Sequence, residues 1–253
     1  MAEPRSFRVE AVVLRHADWG EADRLLTLYT RQRGKVRAVA KGARRIRSRK
    51  AGHLEPFTRV VLQLAKGRDL LIVTQADTAD AYLPLHENLV KTGHAAYVVE
   101  LLDRFTSEDD TENVPAFRLL TDTLARIAAQ PDVWLAVRYY EVRLLDLVGF
   151  RPQLFECVRC GEKVQAVDQF FSPLAGGVLC PKCGTGIPGV WPISVEALKH
   201  FRHFQRSSYS EAQRARPGPQ VRSELETLLQ KNFTYLLERE LNTPGFLKNI
   251  AKK

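Results

Sequence analysis

The residues whose type and spacing limit the chemistry most narrowly are four cysteines, Cys157, Cys160, Cys180 and Cys183. They form two Cys-x-x-Cys pairs separated by 19 residues, a spacing within the range of a four-cysteine zinc site. A two-residue gap lets both sulfurs of a pair reach one ion. The glycine after each pair, Gly161 and Gly184, permits the positive φ that such a turn often needs. With sulfur at all four tetrahedral positions, no water-bearing position remains, so one Zn2+ here holds the fold and does no chemistry. Two disulfides or a dithiol redox pair are the alternatives. A reducing compartment opposes the first, and the lack of a thioredoxin-like strand pattern around either pair opposes the second. His200 and His203 make a His-x-x-His pair, but with the cysteines already a complete ligand set they read as surface histidines.

The second concentration of chemistry is charge. Residues 31–50 hold ten basic side chains and no acidic one: Arg31, Arg33, Lys35, Arg37, Lys41, Arg44, Arg45, Arg47, Arg49 and Lys50. The net charge of +9 is segregated, with +8 in residues 1–80, −5 in 81–150 and +6 in 151–253. Such an excess calls for a polyanion. Counterion release makes nucleic acid the usual partner, with an anionic membrane surface as competitor and a solvated basic face as the bland reading. Catalysis has little to stand on, because no phosphate-loop, dinucleotide, zinc-protease or nucleophile-elbow motif occurs. Glu21 and Asp23, the acidic pair in the basic third, read as capping or ion-pair residues, so the chain is expected not to be an enzyme.

The elements that must position these groups follow from periodicity. Residues 7–15, 24–31, 34–41, 57–65 and 69–77 read as five short strands, and five strands in so short a stretch suggest the OB-fold barrel. In the third strand Val36, Ala38 and Ala40 face one side, small enough for a barrel interior. Arg33, Lys35, Arg37 and Lys41 face the other, forming a cationic stripe that runs into the loop 42–50. Trp19, Tyr29 and Phe57 are aromatics near the stripe that could stack on bases, although for each taken alone core packing is the stronger reading. From residue 85 the period becomes helical. Helices are expected from 85 to an acidic loop at Ser107–Glu112, over 114–129, from Pro131 to before Gly149, and over Val195–Phe204 and Val221–Leu241. The expected architecture is α+β and multidomain. An OB-fold fills residues 1–80, and an all-α helical domain fills 81–253, with a four-cysteine zinc knuckle inserted at 155–190. No stretch is long and apolar enough to cross a bilayer, and the apolar run Ala11–Leu14 is too short for a secretory signal, so a cytoplasmic location is expected.

Two stretches carry a more specific resemblance. Trp19-Gly20-Glu21-Ala22-Asp23-Arg24-Leu25-Leu26-Thr27-Leu28-Tyr29-Thr30 with Gly34-Lys35-Val36-Arg37-Ala38-Val39-Ala40-Lys41-Gly42-Ala43-Arg44-Arg45 resembles the amino-terminal domain of the RecO family of bacterial recombination mediators. So does Tyr140-Glu141-Val142-Arg143-Leu144-Leu145-Asp146-Leu147-Val148-Gly149-Phe150-Arg151-Pro152, running on to Cys157 and Cys160-Gly161. The resemblance implies an OB-fold, a helical middle, and a zinc module in the carboxy-terminal part. It also implies a DNA-repair protein, nucleoid-associated, that binds single- and double-stranded DNA and anneals complementary strands. With RecR it would help load RecA onto strands coated by single-stranded-DNA-binding protein. Family members vary in how many of the cysteines they keep; this chain has all four. An RNA- or ribosome-associated OB-fold protein with a zinc knuckle is the rival reading of the same stripe and cysteines.

Overall fold

The computed structural model describes residues 5–108 and 113–250, so Asp109–Glu112 of the expected acidic loop lie outside the described residues. Five strands close into a barrel: β1 Ser6–Trp19, β2 Asp23–Thr30, β3 Gly34–Ala40, β4 Arg59–Lys66 and β5 Leu71–Asp80. Their order is β1-β2-β3-β5-β4, antiparallel except for the β3–β5 pair, and this is the expected OB-like barrel. β1 is long enough to pair with β4 through residues 6–12 and with β2 through 11–19, with its register to β2 shifted between Val13 and Arg15. Alternation fills the interior with Val9, Ala11, Val13, Leu26, Leu28, Ala38, Ala40, Leu62 and Leu64, and Val36 packs against them. The small alanines of β3 do face inward.

The opposite face of β1 and β2 is buried as well. Val12, Leu14, Thr27 and Tyr29 are covered, because α2 (Leu89–Phe105) packs on β1 and α3 (Asn113–Ala129) packs on β2 and β3. Tyr29 is 1% exposed and belongs to this second core, the core-packing reading of that aromatic. The unbroken run Ala11-Val12-Val13-Leu14 is the signal for a strand buried on both faces. A short α1 (Pro84–Glu87) precedes α2, whose start is capped by the Asn88 side chain accepting from the Val90 and Lys91 amides at 3.0 and 3.1 Å.

Residues 5–131 and 243–250 form one compact unit and residues 132–242 a second. In the second, α4 (Trp134–Leu147), α6 (Val195–Arg206), α7 (Tyr209–Ala212) and α8 (Pro219–Leu237) surround a core that includes Leu144, Phe201, Phe204 and Phe233. A three-stranded sheet of β6 (Gln169–Ser172), β7 (Gly177–Leu179) and β8 (Trp191–Ile193), ordered β7-β6-β8, joins this core through Phe171, whose ring lies 6.2 Å from that of Phe201. One turn, α5 (Pro181–Gly184), follows β7. Within α4 a wholly buried Arg138–Glu141 pair approaches to 2.9 Å.

The chain's end differs from the expected single helix over Val221–Leu241. α8 stops at Leu237, with Glu238 at φ 51°, and a separate α9 (Thr243–Ile250) begins where Pro244 suits a first helical turn and nothing earlier. α9 packs on α2 in the first unit. The Thr243 amide and hydroxyl donate to Glu100 Oε2 at 3.0 and 2.7 Å, and a Cβ on Gly93 would sit 2.7 Å from Leu247.

Candidate nucleic-acid interface and metal centre

The ten cations of residues 31–50 divide into two groups. Arg31 pairs with Glu10 at 3.4 Å, and Arg33 lies over the Phe7 ring at 3.9 Å. Lys35 leaves the stripe altogether. Its ammonium pairs with Asp103 Oδ1 at 2.6 Å and donates to the carbonyls of Asp103 and Thr106 at 2.7 and 3.2 Å, leaving 16% of the side chain exposed. A cation there satisfies carbonyls that the C-terminal turn of α2 leaves without intrahelical partners. Arg44 pairs with Asp18 at 3.1 Å and donates to the carbonyls of Gly20 and Glu21 at 3.3 Å, and Lys50 donates to the Val73 carbonyl at 3.1 Å.

The remaining five, Arg37, Lys41, Arg45, Arg47 and Arg49, are exposed, and no carboxylate among the described residues pairs with them. They begin on the solvent side of β3 and continue through the connection to a short 3-10 turn at Ala51–His53. That connection is built firmly. Gly42 takes a φ of +67° and donates to Asp23 Oδ1 at 2.7 Å, so Asp23 caps this turn. Ala43 is buried in the barrel core, and the Arg44 amide donates to the Ala22 carbonyl at 2.9 Å. The Ser48 amide then closes a turn on the Arg45 carbonyl at 2.9 Å. Through Arg44 the β1–β2 turn is tied to the same loop. It carries Trp19, 49% exposed, while Phe57 is half-buried with its ring 6.2 Å from His86. The carboxylates that sort tied from free cations, Glu10, Asp18 and Asp103, were not among the expected site residues.

The cysteines converge. All four sulfurs lie within 4.8 Å of one another, and Cys160 Sγ is 3.9 Å from Cys180 Sγ. A tetrahedral thiolate-bound ion at about 2.3 Å holds its sulfurs about 3.8 Å apart, so the cluster can take a metal ion with little adjustment. Each pair sits on a tight turn: the Gly161 amide donates to the Cys157 carbonyl at 2.9 Å, and the Cys183 and Gly184 amides donate to the Cys180 carbonyl at 3.0 and 2.9 Å. Gly161 has the expected positive φ of 75°. Gly184 does not; it is small because a Cβ would meet the Phe170 ring at 2.5 Å. The Val158 amide donates to the Val178 carbonyl at 2.9 Å, stitching the first pair to β7.

Electrostatics favour a cation at this point. Burial pushes the Cys157 thiol up, but hydrogen bonds from the Cys180, Cys160 and Arg159 amides outweigh it and bring the pKa down to about 6. Its hydrogen bond with Cys180, and burial after that, push the Cys183 thiol up to about 12. Thiolate ligation requires deprotonated sulfurs, so metal binding to these four would be coupled to proton release. The histidines stay apart from the cluster: His200 Nδ1 is 2.9 Å from the Glu196 carbonyl, and His203 Nδ1 is 2.9 Å from Ser207 Oγ. No helix among the described residues is long and apolar enough to cross a membrane.

Comparison with known proteins matches residues 1–82 to the family model described as Recombination protein O N terminal, and residues 86–244 to Recombination protein O C terminal. A DNA repair protein RecO of Roseiflexus sp. (strain RS-1) is 41% identical over 248 residues, covering 98% of this chain and 87% of the relative. DNA repair protein RecO of Dehalococcoides mccartyi (strain ATCC BAA-2266 / KCTC 15142 / 195) is 35% identical across 100% of this chain and 99% of its own. That of Symbiobacterium thermophilum is 33% identical across 96% and 97%.

Proposed function

Because the chain belongs to the RecO family of DNA repair proteins, we propose that it binds single- and double-stranded DNA through the cationic loop of its barrel and anneals complementary strands. With RecR it then helps load RecA onto DNA coated by single-stranded-DNA-binding protein, acting in the cytoplasm at the nucleoid and catalysing no bond chemistry.

The observation that carries the DNA-binding part is the set Arg37, Lys41, Arg45, Arg47 and Arg49, exposed on one firmly built segment with no carboxylate partner among the described residues. Five uncompensated cations in 13 residues repel one another, and phosphates relieve that repulsion while releasing condensed counterions. Neutralising two strands at once lowers their mutual repulsion, and contacts blind to sequence leave base pairing to choose the partner. Annealing by this route needs no nucleotide cofactor.

The ion we assign to Cys157, Cys160, Cys180 and Cys183 is a single Zn2+, for which four thiolates in tetrahedral reach form a closed structural site. Its contribution is a covalent-strength cross-link between the turn before β6 and the turn after β7.

The deciding experiment is annealing of complementary oligonucleotides coated with single-stranded-DNA-binding protein, with and without this chain and RecR. Acceleration that Arg37→Glu with Lys41→Glu abolishes is the expected result. No acceleration by the wild-type chain overturns the mediator reading. Preference for RNA over DNA of one sequence in competition would move the chain to the RNA-binding class.

A further inference from the structure

The turn that displays the free cations also displays an apolar side chain with no role in the fold. Ile46 stands between Arg45 and Arg47 at the tip of the turn and is 105% exposed, more than any other large apolar side chain among the described residues. A lone exposed aliphatic is ordinary on a protein surface. What distinguishes Ile46 is its mounting. The loop is fixed by buried Ala43, by the Gly42–Asp23 and Arg44–Ala22 hydrogen bonds, by the Arg44 side chain on the β1–β2 turn, and by Lys50 on Val73. A β-branched side chain has few rotamers to lose, so fixing it against a ligand on this mount costs little entropy. Its neighbours on both sides are guanidinium groups that seek phosphates.

We infer that Ile46 is a base-contacting wedge, which enters the stack of a bound DNA strand and separates one base step while the flanking arginines hold the phosphates. An apolar side chain among cations is how a protein unstacks a step without reading its sequence. This assignment rests on the DNA-binding reading of the same loop. It divides the labour there: the arginines supply a term that salt screens, and Ile46 supplies one that salt does not. Trp19, half-exposed on the turn that Arg44 ties to this loop, adds a second apolar surface at the same end of the barrel.

The test uses the full chain and a single-stranded oligonucleotide carrying 2-aminopurine, whose fluorescence rises when its neighbours unstack. Wild-type protein should raise the signal on binding. Ile46→Ser, a substitution at a fully exposed position, should bind about tenfold more weakly at every salt concentration, keep the same slope of log affinity on log salt, and lose the fluorescence rise at saturation. Ile46→Leu should restore both. Arg45→Glu with Arg47→Glu should instead flatten the slope by about 1.4, at about 0.7 per contact. If Ile46→Ser binds and unstacks as wild type does, the wedge is overturned while the DNA-binding reading stands. If the wild-type chain binds no DNA at moderate salt, that reading fails first, and the two failures are told apart by the wild-type titration alone.

Discussion

The cysteine module and the cationic loop are both clusters of like side chains, and the fold treats them in opposite ways. Four sulfurs from two turns are drawn to within 4.8 Å of one another, whereas the free cations of residues 37–49 are spread along a strand and a loop. On the proposed function the difference follows from the size of the counter-charge. A single ion is a point, so its ligands must converge; a polyanionic strand is a line, so its partners must string out. Convergence here is also local, since each sulfur pair is set by a four-residue turn. Dispersion is decided far away in the chain, by which carboxylates come near enough to capture a cation.

The largest effect expected is on the metal side. Chelation, or Cys157→Ser, should take the protein from one bound zinc per chain to none and remove stabilisation on the order of 10 kcal/mol from the module. Native mass spectrometry reads the metal, and hydrogen exchange reads the loss of protection over residues 153–193. Protection in the barrel strands β1–β5 should stay as it was. Equal loss in the barrel would break the contrast between a point-like site that holds structure and a linear one that does not.

A smaller loss is expected where a guanidinium is buried. Arg138 and Glu141 are 4% and 0% exposed in α4, so Arg138→Met takes the buried counter-charge away from a core carboxylate and should cost about 3–5 kcal/mol in urea unfolding. Arg37→Met, which removes the same charge from an open position, should change stability by less than about 0.5 kcal/mol. Two arginines with comparable unfolding losses would mean that exposure is not what divides structural from free cations.

Neighbours on one strand sharpen the same point. Lys35→Met should destabilise the barrel unit by about 2 kcal/mol, because Asp103 Oδ1 and two carbonyls at the end of α2 lose the lysine while Arg15 still donates to Asp103 Oδ2, and it should leave DNA affinity nearly unchanged. Arg37→Glu with Lys41→Glu should do the reverse, leaving the melting temperature near wild type while the salt slope of DNA binding flattens by about 1.4. A Lys35 variant that folds normally and loses DNA affinity would return that lysine to the interface.

These contrasts also mark where the sequence could be read. The barrel strands, the inward alanines of β3 and the cysteine cluster all arise from spacings of two or three residues, which periodicity and motif capture directly. The sorting of cations does not. Lys35 meets Asp103 across 68 residues of chain, and Arg31 meets Glu10 across 21, so nothing near residues 31–50 announced which charges would be spent internally. What buries Tyr29 is also distant: its strand alternates properly, and helices arriving later in the chain cover the face it points to. α9 is short, and its only local mark is a proline after a run that the hydrophobic period continues without interruption.

The smallest effect lies in the acid range, again in an internal carboxylate that keeps a cation from solvent. Glu55 accepts from Arg24 at 2.9 Å and lies 3.5 Å from His16 Nε2. Partial burial pushes its carboxyl up, but the Arg24 hydrogen bond and charge, helped by His16, outweigh this and hold it below the ordinary value of 4.5. A lowered folded-state pKa means that Glu55 contributes stability above the ordinary carboxylate value and loses it as pH falls through the lower, folded one. The group is largely solvated, so the contribution is at most about 1 kcal/mol. Thermal melts taken downward from pH 6 should therefore fall more steeply for wild type than for Glu55→Gln, with the two curves drawing together at the acid end. Parallel curves would show that the Arg24 pair is screened to nothing, and that a nearby carboxylate is not by itself enough to make a cation structural.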